Sequence, residues 1–129
     1  MMKYILVIIL IASFSSTAIA GQEFKSCIRR NKSTAGINEC YVQSMKRWHV
    51  KLNAVYYNLM KTNGPKSRSY LKKSEINWIL YRKYNCIAVG DIMFGSSSGN
   101  IIQRESCLRA MLIDRVKDLE PFLPANRQH

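Results

Sequence analysis

The stretch Tyr41-Val-Gln-Ser-Met45-Lys-Arg-Trp48-His-Val-Lys-Leu52-Asn-Ala-Val55-Tyr-Tyr-Asn-Leu59 decides the fold class. Its large apolar residues, Tyr41, Met45, Trp48, Leu52, Val55 and Leu59, return at alternating steps of four and three, which stacks them along one seam of an α-helix. The spacing predicts a helix from about Ile37 to Thr62. Asn63-Gly64-Pro65 then ends it, because Gly64 is able to adopt the left-handed conformation and Pro65 cannot continue a helix.

C-terminal to that stop, Ser67 or Ser69 is placed to cap a second helix running through Leu71, Ile76, Trp78, Ile79, Tyr81 and Tyr84 to about Val89. Its apolar residues cover more than one stripe, the pattern of a helix packed between two others. Gly95-Ser-Ser-Ser-Gly99 reads as a flexible loop, and Asn100 with Gln103 resembles a capping box that opens a third helix. Leu108, Met111, Leu112, Val116 and Leu119 give that helix its apolar face, and Pro121 and Pro124 close it. The expectation is all-α: a small antiparallel three-helix bundle. Only Gln22 to Ala35, polar and basic, carries no such pattern, and it needs a tether to stay ordered.

The N-terminus reads as an export signal. Met1-Met2-Lys3 is a short positive start, Tyr4 to Ala12 is an apolar run, and Ala18-Ile19-Ala20 is a small-residue cleavage motif. The run is well short of the roughly 20 residues that cross a bilayer, so the chain is not expected to span a membrane. Cleavage before Gly21 removes 20 of the 129 residues and leaves 109, a single domain over 21–129. Gly21 is no cysteine, so lipid attachment at the new terminus is not expected. The product is expected in the periplasm or beyond.

A domain of that size gains much from staples. In an oxidising compartment the four cysteines, Cys27, Cys40, Cys86 and Cys107, are expected to form two disulfides that brace the bundle. Their spacing lacks the close pairs of a zinc site, and no metal or other cofactor is expected. In the expected bundle Cys40, Cys86 and Cys107 fall at one end, so all three connectivities are open. Cys27 with Cys40 and Cys86 with Cys107 are favoured because each closes a short loop.

Charge is the other strong feature. The chain carries a formal +12, and losing Lys3 leaves +11. Between Lys25 and Lys83 there are 14 Lys or Arg against Glu39 and Glu75, whereas from Tyr84 onward there are five of each sign. A one-sided basic field attracts anionic surfaces and speeds encounter with acidic partners.

Several of these segments together resemble the lysozyme inhibitor LprI family. They are Asn38-Glu-Cys40, Leu52-Asn-Ala-Val-Tyr56, Leu71-Lys-Lys-Ser-Glu75-Ile-Asn-Trp78-Ile-Leu-Tyr-Arg82-Lys-Tyr-Asn-Cys86, and Cys107-Leu108 with Arg115 and Leu119. The family's pattern is a cysteine, a Leu-Asn-x-x-Tyr helix, a Leu-x-x-x-Gln-x-x-Trp-x-x-x-Arg-Asp-x-x-Cys helix, and a cysteine with a later arginine. The similarity covers about Cys27 to Leu119. Glu75 stands where the family commonly has Gln, and Lys83 where it commonly has Asp, which removes an acid neighbour from Arg82. The resemblance implies an all-helical exported domain, some members of which inhibit lysozyme.

Trp78 and Arg82 lie one turn apart on one helical face, where the ring is suited to anchor a partner and the guanidinium to stack on it or grip an acid. The structural alternative is a core tryptophan covered by the arginine stem. Arg115 has Asp114, Asp118 and Glu75 as prospective acids and is expected to brace the bundle. No catalytic constellation is legible: His49 stands among bases, His129 ends the chain, and neither has an orienting acid or nucleophile. The chain therefore reads as a binding protein and not an enzyme. The leading expectation is a muramidase inhibitor that acts by occluding a partner's cleft. Animal lysozymes of the common type are themselves basic, so the acidic cluster Asp114, Asp118 and Glu120 is the surface expected to meet one. The alternative is a polycationic module that holds lipopolysaccharide or another anionic envelope polymer. Export weighs against nucleic acid.

Overall fold

The computed structural model describes residues 16–127 and consists of four α-helices: α1 (Ser16–Arg30), α2 (Thr34–Thr62), α3 (Pro65–Phe94) and α4 (Ser98–Leu119). Two short 3-10 turns, Glu120–Phe122 and Pro124–Asn126, follow. The positive start and apolar run of the expected leader lie outside the described residues, and the expected cut before Gly21 falls inside α1. Cys27 is bonded to Cys40 and Cys86 to Cys107.

The all-helical class and the two disulfides are as expected, but the helix count and the packing order are corrected. The basic segment 22–35 is largely helical. Phe24, Cys27 and Ile28 lie three and four positions apart and so share one face of α1. Phe24 meets Tyr41 edge to face at 5.1 Å, and Glu23 pairs with Arg47 at 3.5 Å. Asn31 then donates to the Cys27 carbonyl, ending α1, and the Ser33 hydroxyl accepts from the Gly36 amide, starting α2. Two capping residues within three positions make this reversal tight.

In the remaining three helices the departure lies in which one is central. α3 runs antiparallel to α4, with Glu75 beside Arg115 and Cys86 beside Cys107. α2 runs parallel to α4, with Ser44 beside Arg109 and Leu59 beside Leu119. α4 packs along both neighbours, while α2 and α3 barely touch. The helix between two others is therefore α4. α3, expected in that place, leaves Ile76, Ile79, Leu80, Tyr81 and Tyr84 exposed and buries only Cys86 and Gly90. Its apolar residues surround the helix because one side meets α4 and another meets solvent.

The core follows the two periodic seams. Leu52, Val55 and Leu59 of α2 close on Leu112, Val116 and Leu119 of α4, with Met45, Trp48, Leu71, Trp78 and Leu123 half-buried around them. At Gly90 a Cβ would lie 2.6 Å from the Asn100 side-chain oxygen and 3.3 Å from its backbone oxygen, so glycine is what lets α3 approach the start of α4.

Local endings differ from expectation in three places. Gly64 is extended, at φ −73° and ψ 170°, and the turn reverses because Pro65 is ready-made for the first position of α3. Neither Ser67 nor Ser69 caps α3, which already begins at Pro65. The loop at 95–99 shrinks to Gly95–Ser97, with Gly95 the positive-φ residue among those described. Asn100 lies inside α4 and is no cap; its amide donates to Asp91 Oδ1 at 2.7 Å and to the Gly95 carbonyl.

This packing order has a direct thermodynamic signature. Leu112→Ala, at a fully buried position on α4, is expected to lower the unfolding free energy by about 2–5 kcal/mol. Leu80→Ala, on the open side of α3, is expected to change it by less than about 0.5 kcal/mol. Denaturant titration of the two variants checks both.

Candidate functional site

Because α4 holds α2 and α3 apart on one side, a groove of about 380 Å³ opens between them. His49, Leu52, Asn53 and Tyr56 form the α2 wall; Lys72, Glu75, Ile76, Trp78, Ile79 and Arg82 form the α3 wall. Five motif residues singled out in the sequence, Leu52, Tyr56, Glu75, Trp78 and Arg82, thus come together. A second hollow of about 500 Å³ lies nearer the α2–α3 turn and brings Leu71 and Leu119 together with Leu59, Tyr70 and Phe122. Arg115, the last motif residue, reaches the groove from α4 through Glu75.

The floor of the groove is held from several directions. Arg115 donates from Nε and Nη2 to Glu75 Oε2, at 3.0 and 2.9 Å, and from Nη2 to Ser74 Oγ at 3.0 Å. Both partners of this ion pair are largely withdrawn from solvent, so it is not a loose surface contact. Arg82 donates from Nε to the Leu108 carbonyl at 2.9 Å and from Nη2 to Met45 Sδ at 3.4 Å, joining α3 to both α4 and α2. The two guanidiniums stand 5.6 Å (Arg82) and 5.7 Å (Arg115) from the Trp78 ring, so the indole lies within cation–π distance of both. Trp78 also packs against the apolar core. It thus lines the groove and packs on the core at once.

Burial lowers the proton affinity of Arg82, and the Glu105 carboxylate partly offsets that effect. Arginine remains charged regardless. At the rim, His49 has its pKa lowered, first by burial and then by the positive charge of Arg82. His49 is therefore neutral at neutral pH, and the positive charge of the groove comes from Lys72 and Arg82.

The candidate partner-binding residues do not form one patch. Trp78 and Arg82 line the groove, whereas Asp114 and Asp118 are exposed on α4 and line neither hollow. Neither acid has an ion-pair partner among the described residues. Glu120 bonds Lys51 at 2.9 Å, and the same ammonium lies 5.1 Å from the Trp48 ring. Lys83, in the place of the family's Asp, projects from exposed α3 and lies 5.3 Å from the Tyr84 ring.

Sequence reading passed over one tie. Arg109 donates from Nε to the buried Ser44 hydroxyl at 2.7 Å, and its guanidinium carbon lies 3.7 Å from the Phe24 ring centroid. One side chain thereby joins α1, α2 and α4. A lone serine beside the apolar seam of α2 and an arginine beside Leu108 and Leu112 were the available signals. Among the described residues no group of three or more His, Cys, Asp or Glu side chains gathers as a metal ion requires, and His129 lies outside the described residues.

The Glu75–Arg115 pair is the groove's most testable support. Arg115→Met leaves Glu75 half-buried without its cation and is expected to cost about 3 kcal/mol. Glu75→Gln keeps an acceptor for Arg115 and is expected to cost about 1 kcal/mol. Equal losses in thermal or denaturant unfolding would show that the pair does not brace the bundle.

Comparison with known proteins follows the same residues. No curated protein and no solved structure matches the chain. The family model described as lysozyme inhibitor LprI matches residues 27–119, the interval that holds both disulfides, the groove and the Arg115–Glu75 tie. The chain belongs to the lysozyme inhibitor LprI family.

Proposed function

We propose that the chain is an exported inhibitor of a muramidase, processed before Gly21, which acts by laying a stiff helical surface over its partner's cleft. Family membership supports the class of activity. The observation that favours a direct protein contact is the exposed pair Asp114 and Asp118, one turn apart on α4 and without ion-pair partners among the described residues. In so basic a protein these carboxylates supply a surface that a cationic enzyme meets without repulsion. Two disulfides and the Arg82, Arg109 and Arg115 ties leave the frame little conformational entropy to lose on binding. Trp78 and Arg82 offer a second contact region at the groove.

A different reading is favoured by one feature of α3. Lys66, Arg68, Lys72, Lys73 and Lys83 are all exposed, as a module that holds lipopolysaccharide or another anionic polymer requires. Salt separates the two. Contact between many mobile charges weakens steeply with ionic strength, and a shaped contact does so far less.

A turbidity assay of cell-wall lysis, run with the oxidised protein against several muramidases at low and moderate salt, tests the proposal. Inhibition that persists at moderate salt and falls at least tenfold in the Asp114→Lys/Asp118→Lys variant is expected. Inhibition untouched by that charge reversal removes α4 from the contact. No effect on any muramidase, together with salt-labile capture of glycolipid, overturns the inhibitor reading in favour of the second one.

A further inference from the structure

Neither reading uses the end of the bundle where α3 turns into α4, and that end has its own chemistry. Ile92 is 83 % exposed and Met93 58 %, and Phe94 and Ile101 are exposed beside them. These side chains do not sit on a slack loop. Gly95, at φ 53°, donates its amide to the Asp91 carbonyl at 2.9 Å, and Asn100 donates to Asp91 Oδ1 and to the Gly95 carbonyl. The Phe94 ring lies so close to Gly99 that a Cβ there would come within 2.6 Å of it. The result is a fixed apolar tip. Large apolar side chains held this far into water are uncommon without a partner.

The α1–α2 turn emerges at the same level. Ser44 of α2 meets Arg109 of α4, and the two helices run parallel, so ten residues back along α2 and eleven along α4 reach Thr34 and Ser98 together. Cys86 meets Cys107, and eight residues onward along α3 reach Phe94 at that level as well. This end therefore joins the tip to exposed Arg29, Arg30, Lys32 and Arg104. Residues 29–39 and 91–105 hold those four cations and three acids, of which Asp91 is hydrogen-bonded to Asn100 and Glu39 to Gln43, so this end carries a slight positive excess.

We infer that this end docks on an anionic lipid bilayer, with Ile92 and Met93 entering the headgroup boundary and the cations lying over acidic headgroups. Apolar insertion and charge attraction are each weak alone and hold a protein at a membrane surface together. No helix among the described residues is long and apolar enough to cross a membrane, and the inferred contact is a peripheral one.

The test uses oxidised protein whose mass fits Gly21–His129, because a retained apolar leader would bind lipid by itself. Sedimentation with vesicles of phosphatidylethanolamine containing one-third phosphatidylglycerol is compared with sedimentation on neutral vesicles. Partition into the anionic vesicles is expected, with at least a tenfold loss in Ile92→Ser/Met93→Ser and a comparable loss in Arg29→Gln/Arg30→Gln/Lys32→Gln. Both variants change exposed side chains, and unaltered melting confirms the fold. No partition by the parent protein, or partition unchanged in the Ile92→Ser/Met93→Ser variant, overturns the inference. Tip-dependent dimers without vesicle binding reassign the tip to a second copy, and tip-dependent muramidase inhibition without vesicle binding reassigns it to the enzyme contact; either result also overturns it.

Discussion

The structure depends on one apolar ridge. Leu112 and Val116 of α4 are wholly buried, and with Leu119 they give α2 the surface on which Leu52, Val55 and Leu59 close. α3 leans on the other side of α4 through Cys86 and Gly90. Because α2 and α3 meet α4 far more than each other, their positions are fixed largely through it. That is why a groove persists between them instead of collapsing into core. A hydrophobic core this small leaves little margin, and the two disulfides supply constraint where apolar area is short.

Three arginines complete the frame, each reaching across helices. Arg82 links α3 to α4 and α2, Arg109 links α4 to α2 and α1, and Arg115 links α4 to α3. A planar guanidinium with several donors suits this work better than an ammonium, since one group can satisfy a carbonyl or carboxylate while lying against an aromatic ring. The motif residues of the family are thus chiefly the parts that hold the groove open. The binding role proposed for Trp78 and Arg82 would be added to that structural role and would not replace it.

Much of this was legible from spacing. The four-three alternation from Tyr41 to Leu59 gave the longest core seam, Leu112 to Leu119 gave its partner, and the short cysteine separations pointed to the observed pairs. What escaped was tertiary. α1 has too few apolar positions to announce itself, and it is held by contacts from Tyr41, Arg47 and Arg109, which no local pattern contains. The same limit misplaced the central helix. Apolar residues all around α3 read as burial on two sides, but Ile76, Leu80 and Tyr84 are open to solvent. Glu75 was one of three acids within reach of Arg115, and only the register of α3 against α4 selects it.

Charge and shape then divide the molecule. Exposed basic residues lie along α3, Asp114 and Asp118 stand on α4 without ion-pair partners among the described residues, and apolar residues cap the end at the α3–α4 turn. Such segregation is useful only on a body that does not deform, so the central claim concerns α4 as the fixed element. Residue-resolved amide hydrogen exchange of the oxidised protein tests it most directly. The slowest exchange is expected in α4 around Leu112 to Val116, with the facing turn of α2 next and α1 fastest among the helices. Exchange in that part of α4 as fast as in α1 would contradict the account.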